Sequence, residues 1–174
     1  MRSRLHVALF FTALLCMMCV SAFAIDVKTD FDHHANFSHY KTYSWAKVDT
    51  PDPLWNDRVK EAVDRALTAK GWSQVPSGGD VSVVAMGTTR QKPTLRTFYD
   101  GFDGWLWGGF ADATTYVENY TEGTLIVDLF DTASKKLIWR GSATDVLSGK
   151  PEKDEKKVDK GVAKMYEHLP TQLG

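Results

Sequence analysis

From Ile25 to Phe31 apolar and polar residues alternate with a period of two, the pattern of a strand with one buried face. Asp32 to Ser38 is polar and predicts a turn. Alternation returns from Tyr40 to Ala46, rich in the aromatics that strands favour, and predicts a second strand. Pro51-Asp52-Pro53 breaks the pattern. Asp52 is placed to cap a helix whose first position, Pro53, needs no N–H partner. Behind it Trp55, Val59, Ala62, Val63, Ala66 and Leu67 share one helical face, and Gly71 supplies the C-terminal stop.

Pro76-Ser77-Gly78-Gly79 predicts a turn and Asp80–Met86 a third strand. Regular patterning fails from Thr88 to Thr115. Tyr116 to Thr121 alternates, and Gly123 permits a bend or bulge. Thr124–Phe130 is nearly continuous in apolar character, as in a central strand buried on both faces. Asp131–Lys135 reads as a hairpin turn and Leu137–Ala143 as the antiparallel partner. After Gly149-Lys150-Pro151 a second helix runs from Glu152 to Leu169. Its apolar face carries Val158, Val162, Met165, Tyr166 and Leu169; lysines and acids fall on the other face. The predicted order, β-β-α-β-β-β-α, is an α+β domain. Its mixed, mostly antiparallel sheet has about five strands, with both helices on one face.

The first residues change the picture. Met1-Arg2-Ser3-Arg4 is positive, Val7 to Val20 is apolar apart from Thr12, and Ser21-Ala22-Phe23-Ala24 offers a small-residue processing site. Residues 1–24 therefore read as a cleaved secretory leader, and residues 25–174 as one exported domain. The apolar run is shorter than the roughly 20 residues that span a bilayer. Cys16 and Cys19 follow the bulky pairs Leu14-Leu15 and Met17-Met18, where a lipidation site wants small residues. The expected location is the periplasm or outer envelope, soluble after cleavage, with a lipid anchor as the alternative.

Cleavage removes both cysteines and two of the 21 basic side chains, so a net charge of −1 becomes −3. Without thiols the mature chain has no disulfide, thiolate site or cysteine nucleophile. A faintly acidic balance lacks the basic footprint that nucleic acid requires.

Asp30-Phe31-Asp32, Ala35-Asn36-Phe37-Ser38 and Tyr40-Lys41-Thr42-Tyr43-Ser44-Trp45 together resemble the opening of a bacterial envelope family known as domain of unknown function 4136. Ala69-Lys70-Gly71-Trp72 and the hairpin from Gly123-Thr124-Leu125 to Leu137-Ile138-Trp139-Arg140-Gly141 fit as well. The resemblance implies an exported α+β domain, in many members a lipoprotein, with no established activity. This chain departs from it in having no lipobox, and in carrying His33-His34 where a proline-containing turn is usual.

Candidate chemistry is sparse. Asp30, Asp32, His33, His34 and His39 are metal-type ligands, but strand alternation sends neighbours to opposite faces and no metal-helix spacing is present. Their use by a metal protein or enzyme is the alternative reading. Asp100-Gly101-Phe102-Asp103-Gly104 lacks the further acids of a calcium loop. No nucleophile elbow, phosphate loop or zinc-helix motif occurs, so no catalytic residue, metal or cofactor is expected. The unusual stretch is Phe98, Tyr99, Phe102, Trp105, Trp107 and Phe110 among glycines. Large aromatics in such a loop either tuck back onto the core or form a contact surface for an envelope protein or membrane. The functional expectation is therefore a non-catalytic envelope domain that binds through this loop.

Overall fold

The computed structural model describes residues 25–99 and 113–170, with side-chain surroundings for 25–93 and 119–170. The elements in chain order are β1 (Asp26–Phe31), a short 3-10 turn (Phe37–His39), β2 (Thr42–Asp49), α1 (Leu54–Ala69), β3 (Ser73–Gln74), β4 (Val81–Tyr99), β5 (Ala113–Asp131), β6 (Leu137–Val146) and α2 (Pro151–Glu167). The strands form one six-stranded sheet in the order β1-β6-β5-β4-β2-β3. Only β2 with β3 and β2 with β4 pair in parallel; the remaining pairs are antiparallel. The α+β class, the mixed sheet and the two helices are as the periodicity predicts. The sixth strand is β3, too short to leave a periodic signal.

Alternation decides which side of the sheet is covered. Val81, Val83 and Ala85 of β4, Leu125, Val127 and Leu129 of β5, and Trp139 and Ala143 of β6 are buried in one cluster with Val59, Val63 and Leu67 of α1 and Val162, Met165 and Tyr166 of α2. Between them, Met86 is exposed and Ile126 and Phe130 are only half-buried. The central strand is thus covered on one face, not two. On the face away from the helices Asp128, itself buried, is tied to Arg140 of β6. That bidentate pair, at 2.6 and 2.7 Å, lies directly across the ladder.

α1 closes at Gly71 as its sequence predicts but starts one residue later than predicted, with Pro53 as the N-cap and Leu54 the first helical residue. Asp52 Oδ1 accepts from Leu54 N–H at 3.0 Å. At the other end Trp72 N–H donates to Leu67 and Gly71 N–H to Thr68, the paired bonds of a Schellman stop, with Gly71 at φ +84°. Asp64 then ties α1 to the sheet, accepting from Tyr43 Oη at 2.8 Å and Trp45 Nε1 at 2.9 Å. Burial, with the Asp64 bond beside it, pushes the Tyr43 phenol pKa far above its usual value.

Two expectations are corrected. The stretch from Thr88 is not irregular: β4 runs on to Tyr99 and β5 starts at Ala113. Gly123 is no bulge, since the ladder passes through Thr89↔Gly123 without a shift. The shifts lie between Trp45 and Lys47, and between Leu129 and Phe130.

At Gly141 a Cβ would sit 2.4 Å from Cη2 of the fully buried Trp139 and 3.0 Å from Met165 sulfur. Gly141→Ala is expected to cost about 1–3 kcal/mol by overpacking, read as a lower urea midpoint at unchanged m-value. Asp80 pins the start of β2, its Oδ2 accepting from Lys41 and Thr42 N–H at 2.9 Å each. These bonds hold its carboxyl below the usual 3.8. Because the folded pKa is the lower one, the stabilisation is present above about pH 4 and lost as pH falls through the folded value. Asp80→Ala should lower stability by about 1 kcal/mol at pH 7. Its melting temperature should also fall less steeply than that of the parent between pH 4 and pH 2.

Candidate functional site

Two features share one end of the sheet. The first is an arm. On its outer side β4 loses its neighbour after Met86↔Asp49, and β5 loses β6 after Glu122↔Val146, with one further bond from Leu147 N–H to Thr121. From Gln91↔Thr121 to Tyr99↔Ala113 the two strands pair only with each other among the described residues. Eight strand steps carry this ribbon about 27 Å beyond the sheet.

The charges of the arm keep to one parity. Arg90, Lys92 and Arg96 on β4 and Glu118 and Glu122 on β5 fall on one face of the register. Gln91, Pro93, Leu95, Thr97 and Tyr99, with Ala113, Thr115, Val117, Asn119 and Thr121, make the other face, which is uncharged. Lys92 Nζ meets Glu122 Oε2 at 2.7 Å on the diagonal, and that hydrogen bond raises the lysine pKa. Lys92 and Pro93 also blunt the free edge of β4 against stray pairing.

Phe98 and Tyr99 end β4, opposite Thr114 and Ala113. Phe102, Trp105, Trp107 and Phe110 lie outside the described residues, as does the Asp100–Gly104 motif. In sequence, those residues join Tyr99 to Ala113.

The second feature is an apolar groove of about 410 Å³ at the base of the arm. Inward-facing residues shrink toward it on β4, from Val83 through Ala85 to Gly87, and on β5 the inward series Val127, Leu125 ends in Gly123. Glycine at these two places lets Thr50 and Leu147 come close. A Cβ on Gly87 would lie 3.1 Å from Thr50 Cγ2, and one on Gly123 2.9 Å from Leu147 Cδ2. Trp55 and Val59 of α1 and Val158 of α2 make the walls. The Arg58 guanidinium lies over the Trp55 ring, 4.7 Å from its centre.

Both helices begin at this groove, and their polar ends are satisfied locally. Asp52 serves α1. Asp154 of α2 is 5% exposed, and its two oxygens accept from Ser148 N–H at 2.8 Å and Gly149 N–H at 3.1 Å. Both carboxylates stay charged when they accept these N–H groups, and the rest of what an occupant would contact is mainly hydrocarbon and indole. The groove was not foreseen from the sequence. Its signals there are Gly87 and Gly123 interrupting apolar strands, and two proline-led helix starts.

The Asp/His turn is spread out. Asp30 Oδ1 accepts from Phe31 N–H at 2.9 Å, and Asp32 Oδ1 from His34 N–H at 2.8 Å, which holds the Asp32 carboxyl below its usual pKa. The His33 ring rests 4.4 Å from that of Phe31. His39 Nε2 sits 3.2 Å from Asn36 Nδ2, beside a polar cleft with Asp80 and Asp131. Among the described residues no three His, Cys, Asp or Glu side chains converge as metal ligands, and no helix is long and apolar enough to cross a membrane.

The family model described as domain of unknown function (DUF4136) matches residues 27–171. Among solved structures, a DUF4136 family protein from Bacteroides thetaiotaomicron is 14% identical with a TM-score of 0.54, covering 84% of this chain and 96% of that one. A PDZ domain protein from Parabacteroides distasonis is 14% identical with a TM-score of 0.54 over 86% of this chain, which spans only 36% of that protein. A PelC dodecamer from Paraburkholderia phytofirmans is 12% identical with a TM-score of 0.50, covering 82% and 94%. At such identities these likenesses show the fold alone. No curated protein matches the chain.

Asp154→Ala should leave the Ser148 and Gly149 N–H groups without their acceptor and cost about 1–3 kcal/mol. Hydrogen exchange should rise first at residues 148–150, which separates loss of this local anchor from general loosening.

Proposed function

The chain belongs to the DUF4136 family, domains of unknown function, and from that premise we propose that it is an exported, non-catalytic domain of the cell envelope. It binds a protein or membrane-surface partner through the aromatic loop that includes Phe98, Tyr99, Phe102, Trp105, Trp107 and Phe110.

The observation that carries this reading is the arm. A paired ribbon of about 27 Å has no core to cover, and strands of that length without a buried face contribute little to stability. Its use lies in holding what it carries away from the body of the domain. What it carries is a loop with six large aromatics in 13 positions of sequence from Phe98 to Phe110. Trp and Tyr gain most where one end of the ring is buried and the other wet, as on a partner or at a lipid headgroup layer. Export rests on the leader-type residues 1–24. Asp32 and His34 meet at 3.3 Å, but no third side chain of Asp30, His33 or His39 joins them among the described residues, which favours a binding role over a catalytic one.

Replacing residues 100–112 by a short Gly-Ser link should leave the melting temperature within about 2 °C, since surface changes away from the core rarely exceed 0.5 kcal/mol. The same change should abolish partner capture. Tryptophan emission should shift to the blue with envelope extract or lipid vesicles, and Trp105→Phe with Trp107→Phe should remove that shift. Capture that survives loop replacement would refute the proposal.

A further inference from the structure

We propose that the groove at the base of the arm binds a small organic cation with an apolar body, of the alkylammonium class. Every residue that lines it is described, and none belongs to the aromatic loop. The walls set the body of the ligand. Trp55, Val59, Leu125, Leu147 and Val158 present apolar atoms around about 410 Å³, within the range of pockets that enclose a small molecule. Val59 and Leu125 are buried, but Trp55, Leu147 and Val158 are only half-buried. Apolar surface therefore stays wet at this site, and a hydrocarbon chain that covers it gains from its removal from water.

The charges of the lining set the sign of the head group. It holds two carboxylates, Asp52 and Asp154, and no lysine, arginine or histidine. Both carboxylates accept backbone N–H groups and keep their charge. The two helix starts add roughly half a positive charge each, so about one unit of negative charge is left over. Two cations of the neighbouring helices are already paired. Arg58 lies over the Trp55 ring and 3.5 Å from Glu155; Lys157 lies 3.7 Å from Asp145. Lys150 is exposed beside Gly149 and is not part of the lining. An anion with the same hydrocarbon body would enter against this charge, in a site where low dielectric strengthens the repulsion. An ammonium group is attracted instead, and Asp52 supplies its contact. That residue is exposed at the rim, and among the described residues only its Oδ1 takes a hydrogen bond, from Leu54 N–H. Asp154, with both oxygens engaged, acts through its field.

The test titrates the purified protein with n-octylammonium, 1-octanol and octanoate, which share a chain and differ in head-group charge. Backbone amide and indole N–H groups are followed by NMR. Octylammonium should move the Gly87, Gly123 and Gly149 amides and the Trp55 indole. It should bind at least about tenfold more tightly than octanoate, or about 1.4 kcal/mol of selectivity, with octanol between them. Raising the salt to about 0.5 M should narrow that gap, because the charge of a half-exposed site is screened. Asp52→Asn keeps an oxygen for the Leu54 N–H and removes one charge. It should weaken octylammonium about threefold and leave octanol unchanged. Thr89→Trp, from an exposed position on the rim, should block all three ligands. Unchanged thermal melting shows that both variants are folded. Octanoate binding as tightly as octylammonium overturns the inference, as do shifts confined to other parts of the molecule. So does an Asp52→Asn variant that binds octylammonium like the parent, or a parent that binds none of it below millimolar concentration.

Discussion

The central strands are longer than the helices that cover them, and the other features of the molecule follow from that mismatch. α1 has 16 residues and α2 has 17, or about 24–26 Å at helical rise. β4 and β5 have 19 residues each, about 60 Å at strand rise. The helical layer can therefore cover less than half of the central pair. Under the helices the inner face is Val, Ala and Leu, because burial of apolar surface stabilises the fold there. Beyond them the strands turn to threonine, charge and proline. The arm is the part of the strand pair that runs past its covering layer.

The groove lies at the boundary where that layer stops. Ending two helices side by side would expose several unpaired N–H groups to whatever entered the site. Asp52 and Asp154 take up neighbouring backbone donors, and Asp154 does so while almost fully buried. The sheet beneath narrows to Gly87 and Gly123, which lets Thr50 and Leu147 approach the backbone. An apolar recess results at the root of the arm.

Residues with one buried face were legible in the sequence. Ile25–Phe31 and the α1 stripe Trp55, Val59, Val63, Leu67 announce their periods because each must present apolar atoms to a common core. The arm was not legible in the same terms. Thr88–Tyr99 has no hydrophobic alternation to find; its period survives only in the parity of Arg90, Lys92 and Arg96. β3 was invisible because two residues make no pattern. The Asp/His turn is a different case: its residue types suggested a site, and the structure brings the His34 ring to 3.3 Å from Asp32, while Asp30 bonds Phe31 N–H and His33 rests on the Phe31 ring.

By itself the sequence determined the α+β class, the two helices, the C-terminal stop of α1, the covered strands and the family resemblance, all of which depend on residues near one another in the chain. Only the tertiary structure decided that β4 and β5 pair over their whole length, and that Thr50, Trp55, Gly87, Gly123, Leu147 and Val158 line one groove. Those are relations between segments far apart in sequence. They are set by sheet register and by where the helices end, and no local propensity encodes either.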